Sequence, residues 1–253
     1  MRRLSIVGIG AGNPDHITMQ AIKALRDLDV VFLIDKGDDK DSLAQLRKDI
    51  CARYIENPSC RFVTAKDPER DRAPADYQAT VSEWHAQRAS IYEGMIREEL
   101  GQNQHGAFLV WGDPSLYDST LRILDRVAAM QTIEFGLDVI PGVTSVQALA
   151  ARHRIPLNHV GGDIHITTGR QLAKGMSGDN VVVMLDGNCT FKTIKDDVDI
   201  YWGAYVGTPD ELLVSGPLRE QGPQIERIRS EARARHGWIM DTYMLRKNQG
   251  QGP

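Results

Sequence analysis

Four short, largely apolar runs constrain what this chain can fold into: Leu4 to Val7, "DVVFLID" at Asp29 to Asp35, "AFLVW" at Ala107 to Trp111, and "LDVIPG" at Leu137 to Gly142. Runs of this length, rich in β-branched residues, suit strands buried on both faces of a parallel sheet. Helical patterns lie between them. After the first run, Met19, Ile22, Leu25 and Leu28 fall at helical spacing, with Asp15 and Thr18 as competing caps. "DSLAQLRKDICARYI" and "VSEWHAQRASIYEGMIREEL" read as two more helices, with the charged "DPERDRAP" between them as a loop or helix entry. Strands alternating with helices predict an α/β domain on a parallel sheet.

The composition changes near "RIPLNHVGGD". Beyond it lie the strand patterns "IHITT", "NVVVMLD", "YWGAYV" and "ELLVSGPL", and a helix from Ile225 to His236. They predict a second domain whose sheet is at least partly antiparallel. The expected boundaries are 1–158 and 159–253, with "NQGQGP" as an unstructured tail.

A chain of 253 residues, 42% of them apolar, has enough material for two cores. A net charge of −4 lacks the basic excess that nucleic-acid binding requires. No apolar run is long enough to cross a bilayer, and the start shows no secretory pattern. The three cysteines, Cys51, Cys60 and Cys189, have neither disulfide-framework nor metal-ligand spacing, and neither do the seven histidines. A reduced, cytoplasmic protein without a metal or a nucleic-acid or membrane partner is expected. His165, between Ile164 and Ile166 in a strand pattern, reads as a core or wall residue.

The glycine loop "VGIGAGNPDHIT" raises the question of phosphate binding. A dinucleotide loop needs G-x-G-x-x-G opening directly into a helix. Here glycines fall at 8, 10 and 12, Asn13 takes the third place, and Pro14 delays the helix. Asp35 does imitate the ribose-binding acid, so a nicotinamide reading stays open at this point. So does a plain tight turn, in which glycine only relieves crowding.

Two further loops follow the same plan. "VWGDPSLYDST" leaves a buried-type strand into Gly112-Asp113-Pro114. "VIPGVTSVQALA" leaves another into Pro141-Gly142, with Thr144 or Ser145 as helix cap. Each alone reads equally as an ordinary turn or cap. Together they place three Gly/Pro loops at one edge of one sheet, where open α/β sheets bind ligands. The three loops hold no Arg or Lys. That disfavours a phosphate-rich cofactor and suits a ligand with ribose and amino-acid ends.

In this order, "VGIGAGNPDHIT", "WGDPSLYDST" and "VIPGVTSVQALAA" resemble the three signature segments of the tetrapyrrole methylases, S-adenosylmethionine (SAM) enzymes of the corrinoid and sirohaem pathways. The likeness runs from about residue 3 to 245. "FLIDKG", "DPERDR", "WGDPSLYDSTLRILDRV", "ARHRIPLN" and "HITTGR" narrow it to the branch that methylates a corrin precursor and releases acetate. Most of the family has Pro where this chain has Ala11.

The resemblance implies two α/β domains, a cleft that holds SAM and a trough for the macrocycle. The first domain carries a parallel sheet and the second a mixed one. It assigns Ala11, Trp111, Gly112, Asp113, Leu116, Thr144 and Ser145 to the cofactor, with S-adenosylhomocysteine as the product. From the second domain it adds Met184, Leu185, Asp186, Val206, Pro217 and Leu218. It makes the glycine loop the floor of the trough rather than a phosphate cradle.

The sulfonium of SAM is already electrophilic, so orientation supplies most of the acceleration. A base is needed only to shed a ring proton, with Asp35 and Tyr117 as candidates. The substrate carries many carboxylates, for which Lys36, Arg70, Arg72 and Arg170 are candidate partners. A homodimer is expected from the resemblance. Two other readings compete with methyl transfer: a nicotinamide-dependent oxidoreductase and a non-catalytic tetrapyrrole carrier.

Overall fold

A computed structural model describes residues 1–35, 41–69 and 76–248. Lys36, Arg70, Arg72 and most of the "NQGQGP" tail lie outside the described residues. The chain divides after Thr144 into two compact units. This is earlier than the expected boundary at 158, because the helix Ser145–His153 packs on the second sheet rather than the first.

The first unit is a five-stranded, all-parallel sheet. Its strands are β1 (Arg2–Gly8), β2 (Val30–Asp35), β3 (Arg61–Lys66), β4 (His105–Val110) and β5 (Phe135–Ile140), in the order β3-β2-β4-β1-β5. In the central strands β1, β2 and β4 alternate residues face opposite sides and both sides are apolar, whereas β3 and, against expectation, β5 are edge strands with exposed residues. Leu4, Ile6, Val30, Phe32 and Phe108 pack against Tyr92 and Ile96 of α3 (Tyr77–Glu99) and Ile123 and Val127 of α4 (Thr120–Ala129). Val7, Val31, Ala107 and Leu109 pack against Ala21 and Leu25 of α1 (Met19–Arg26) and Ile50 and Cys51 of α2 (Asp41–Tyr54). The sheet therefore carries helices on both faces. Of the two competing caps, Thr18 holds the position, its side chain accepting from Ala21 N at 3.1 Å.

The second unit holds α5 (Ser145–His153), β6 (His165–Thr168), α6 (Gly169–Leu172), β7 (Asn180–Met184), β8 (Val198–Ala204), β9 (Leu212–Pro217), α7 (Leu218–His236) and β10 (Asp241–Lys247). Its sheet runs β6-β7-β10-β8-β9, parallel only at β6–β7. The sequence pattern misses β10 and starts α7 too late. The helix begins at Leu218, and Pro223 sits in its second turn, before the long apolar-spaced stretch. Val181, Val183, Trp202, Tyr243 and Leu245 form the core with Ile225 of α7 and Phe191. No described helix is long and apolar enough to cross a membrane.

Candidate active site

The three Gly/Pro loops meet at the C-terminal edge of the first sheet. Strands β4, β1 and β5 are neighbours there, so their loops are neighbours too. Gly10 and Gly112 form an isolated bridge, with Gly112 N donating to Gly10 O at 2.8 Å. Gly8 and Gly142 have no room for a side chain: a Cβ on Gly8 would stand 2.7 Å from Gly142 N and 2.8 Å from Gly112 O. A Cβ on Gly142 would strike Gly112 O and the backbone of Gly8. Glycine at these positions lets three backbones touch. Gly112 differs. Its φ of 68° is left-handed, but the space beside it is open, with Thr144 Cα 3.7 Å from an added Cβ.

Asp113 fastens this arrangement. Its Oδ2 accepts from Gly142 N at 2.8 Å and its Oδ1 from Ser115 N at 2.8 Å. Burial alone pushes its acid up. The hydrogen bonds from the Ser115 hydroxyl, the Gly142 amide and the Ser115 amide outweigh it and hold the carboxyl below the usual range. Both Asp113 oxygens are engaged within the loops, so the side chain shapes the site. Thr144 is buried immediately before α5, and Ser145 begins that helix with its hydroxyl 3.0 Å from that of Thr242. Ala11 is buried and Leu116 half-buried. Trp111 Nε1 is a buried donor with no partner among the described residues.

The loops answer the phosphate question. After Gly12 the chain makes a short 3-10 turn, Pro14–His16, and α1 begins only at Met19 with its first turn capped by Thr18. No helix N-terminus opens from the glycine loop, so the dinucleotide arrangement is absent there.

Asp35 ends β2, exposed, and lines a pocket together with Trp111. Tyr117 lies on the β4 loop, 44% exposed and with a left-handed φ of 53°. That backbone is costly for a bulky residue, and such strain gathers at functional sites. Partial burial pushes its phenol up.

In the second unit Leu185, just past β7, is 66% exposed at φ 54°, while Val206 and Leu218 are buried and Pro217 exposed. Asp186 is placed differently from a ligand-facing acid. Its carboxylate accepts from Asn188 N, Thr190 N, the Thr190 hydroxyl and the Tyr243 hydroxyl at 2.6–3.0 Å. Arg229, paired with Asp241, takes its carbonyl. The side chain of Asp186 is committed to the interior, so it holds the end of β7 in place. Arg170 lies exposed on α6.

With this geometry in place, comparison with known proteins is decisive. The family model of tetrapyrrole (corrin/porphyrin) methylases matches residues 3–221. The chain belongs to the tetrapyrrole methylase family.

A precorrin-6A synthase [deacetylating] from Sinorhizobium is 51% identical over 250 residues, 98% of this chain and 96% of the relative. A solved structure of a cobalamin synthesis related protein (CobF) from Corynebacterium diphtheriae is 38% identical, with a TM-score of 0.85, covering 98% of this chain and 99% of that one. The uroporphyrin-III C-methyl transferase of Thermus thermophilus, solved with S-adenosylhomocysteine, shares the fold at 17% identity and a TM-score of 0.60, over 96% of each chain.

Sequence reasoning missed Arg47, Arg88 and Asp118, which line the pocket that holds Asp35 and Trp111. One signal was available for Arg47. It precedes the buried Ile50 and Cys51 by three and four residues, and so stands on the inward stripe of α2.

Proposed function

We propose that this chain is a SAM-dependent C-methyltransferase of cobalamin biosynthesis. It methylates precorrin-5 at ring carbon 1, releases the extruded two-carbon unit as acetate and yields precorrin-6A. The observation that carries this reading is the near-full-length, 51% identity to a precorrin-6A synthase.

The first unit's glycine loops fit SAM. They are crowded backbone without lysine or arginine, with a buried, unpartnered indole N–H close by in sequence. Such a surface suits uncharged ribose and a zwitterionic amino-acid end rather than a pyrophosphate. Gly112, Thr144, Ala11 and Leu116 would hold the cofactor, with Asp113 fixing the loop that presents Gly112. Ser145, Met184, Leu185, Val206, Pro217 and Leu218 complete the proposed cofactor set. When bound, SAM supplies an electrophilic methyl group.

The protein's part is orientation and proton management. Holding the ring carbon in line with the methyl group lowers the barrier by about 7–11 kcal/mol. Water adds to the acetyl carbonyl, the ring–acetyl bond breaks, and its electron pair stays on the ring. That electron pair makes carbon 1 the better nucleophile for the new C–C bond. Asp35, at the end of β2, or the Tyr117 hydroxyl takes up the proton that the water gives off as it adds to the acetyl carbonyl. Arg170, with Lys36, Arg70 and Arg72, is proposed to meet substrate carboxylates. The same reading has the enzyme act as a cytoplasmic homodimer, with Cys51, Cys60 and Cys189 as free thiols.

Calorimetric titration tests the cofactor assignment. One equivalent of S-adenosylhomocysteine per chain is expected, with no heat from NADPH. NADPH binding without S-adenosylhomocysteine binding would select the oxidoreductase instead. Transfer of labelled methyl to a precorrin would exclude a carrier.

A further inference from the structure

The pocket beside Asp35 has a volume of about 310 Å³ and lies at the C-terminal ends of β2 and β4. Phe32, Ile34 and Val110 give it apolar surface, and its charged lining includes Arg47, Arg88 and Asp118. The two arginines are in opposite situations. Arg88 is bound through Nε and Nη2 to both carboxylate oxygens of Asp67, at 2.6 and 2.5 Å, and its guanidinium lies 4.0 Å from the centre of the Trp84 ring. Its charge is fully answered within the protein.

The Arg47 guanidinium makes no hydrogen bond and no ion pair with any described residue. Among the described residues the strongest attraction on it comes from Asp118, whose Oδ1 already accepts from Thr120 N at 2.6 Å. Burial lowers the pKa of Arg47, and the attraction of Asp118, Tyr92 and Cys51 only partly offsets this. A guanidinium does not shed its proton in a protein, so this charge persists, and no described residue meets its donors. Leaving donors unmet out of water is costly unless something arrives to take them.

We propose that this pocket receives a carboxylate arm of the macrocyclic substrate, gripped by Arg47. A carboxylate matches the guanidinium fork with two parallel N–H···O bonds. The apolar walls of Phe32, Ile34 and Val110 take the methylenes of the arm, and Thr64 and Tyr92 offer hydroxyls beside it. The volume compares with about 30 Å³ for a water molecule in the liquid, so the pocket has room for an acetate or propionate side chain. Arg47 is thereby a specificity residue. It fixes which arm of the ring enters at the β2 end, and so which ring carbon stands over the glycine loops. The inference rests on the tetrapyrrole reading above.

The test uses the full chain, with Arg47→Gln and Arg47→Lys variants. The probes are uroporphyrin, a stable macrocycle with free carboxylate arms, its methyl ester, and acetate. Arg47→Gln is expected to weaken uroporphyrin binding at least tenfold, and Arg47→Lys to recover part of that loss. The ester is expected to bind wild type no better than it binds Arg47→Gln. S-adenosylhomocysteine affinity should stay the same, and the melting temperature of Arg47→Gln should not fall, since the charge it removes has no partner among the described residues. Equal uroporphyrin affinity for wild type and Arg47→Gln would overturn the role of Arg47 alone. Acetate that protects the wild-type pocket without competing with uroporphyrin would assign the pocket to a free small carboxylate and also overturn it. Wild type that binds S-adenosylhomocysteine but neither macrocycle would overturn the tetrapyrrole reading and this inference together.

Discussion

The Gly142 amide donates to Oδ2 of Asp113 at 2.8 Å, which ties the loop after β5 to the loop after β4. Between these two strands in the sheet lies β1, whose Gly8 would strike both loops if it carried a side chain. One carboxylate and a pair of missing side chains therefore define the edge on which the cofactor assignment rests.

Asp113→Ala should destabilise the protein by about 1–3 kcal/mol, the cost of leaving the Gly142 amide without its acceptor. It should also weaken S-adenosylhomocysteine binding. The pH dependence has a definite sign. The folded carboxyl lies below its ordinary value of 3.8. Its contribution is therefore present above that value and disappears as pH falls through the lower folded value. Denaturant titrations of wild type and Asp113→Asn, run from neutral pH down to about pH 2, should show the wild-type advantage shrinking only at the acid end.

Two alanines separate crowding from backbone strain. Gly142→Ala drives a Cβ into Gly112 O and the backbone of Gly8, so a loss of about 1–3 kcal/mol or more and no cofactor binding are expected. Gly112→Ala meets only ordinary contacts but must hold a left-handed φ, costing about 1–2 kcal/mol. It should retain measurable S-adenosylhomocysteine binding. The reverse order of affinities would show that the crowding at Gly142 does not shape the site. Gly112→Val adds bulk to the strain and should abolish binding.

Asp186→Ala should act on folding. It strips an acceptor from the Tyr243 hydroxyl and from two backbone amides and a hydroxyl near β7, a loss of roughly 3 kcal/mol or more. Under conditions where the variant remains folded, its affinity for S-adenosylhomocysteine should stay near wild type. A stable variant that has lost the cofactor would return Asp186 to a ligand-binding role.

Much of the first unit was legible because its central strands β1, β2 and β4 are buried on both faces. Runs such as "VVFLI" leave no alternative period to compete with. Strand β3 was harder to see, since "RFVTAK" is an edge strand whose residues are exposed or half-buried, with charges at both ends. Strand β10, "DTYMLRK", hides its core residues Tyr243 and Leu245 among polar ones. The glycine spacing foretold the close approach of the loops but not its partners. That Gly8 faces Gly142 follows from the order of β4, β1 and β5, and strand order leaves no local mark in a sequence. The burial of Asp186 and the lack of a partner for the Arg47 guanidinium among the described residues are likewise tertiary facts. An acid after a strand and an arginine on a charged helix look the same whether they meet water, a ligand or the core.

Asp35→Asn and Tyr117→Phe separate proton transfer from binding. The variant that removes the base should lower kcat on the order of 10²-fold while leaving S-adenosylhomocysteine affinity unchanged. Full activity in both would assign the proton to water or to the substrate itself.

The most direct measurement is a single incubation of the purified protein with precorrin-5 and methyl-labelled SAM, assaying the mass of the macrocycle and free acetate together. One labelled methyl gained and one acetate released per ring are expected. A methylated ring that keeps its acetyl group, with no acetate in solution, would contradict the proposed reaction and place the enzyme at another methylation step.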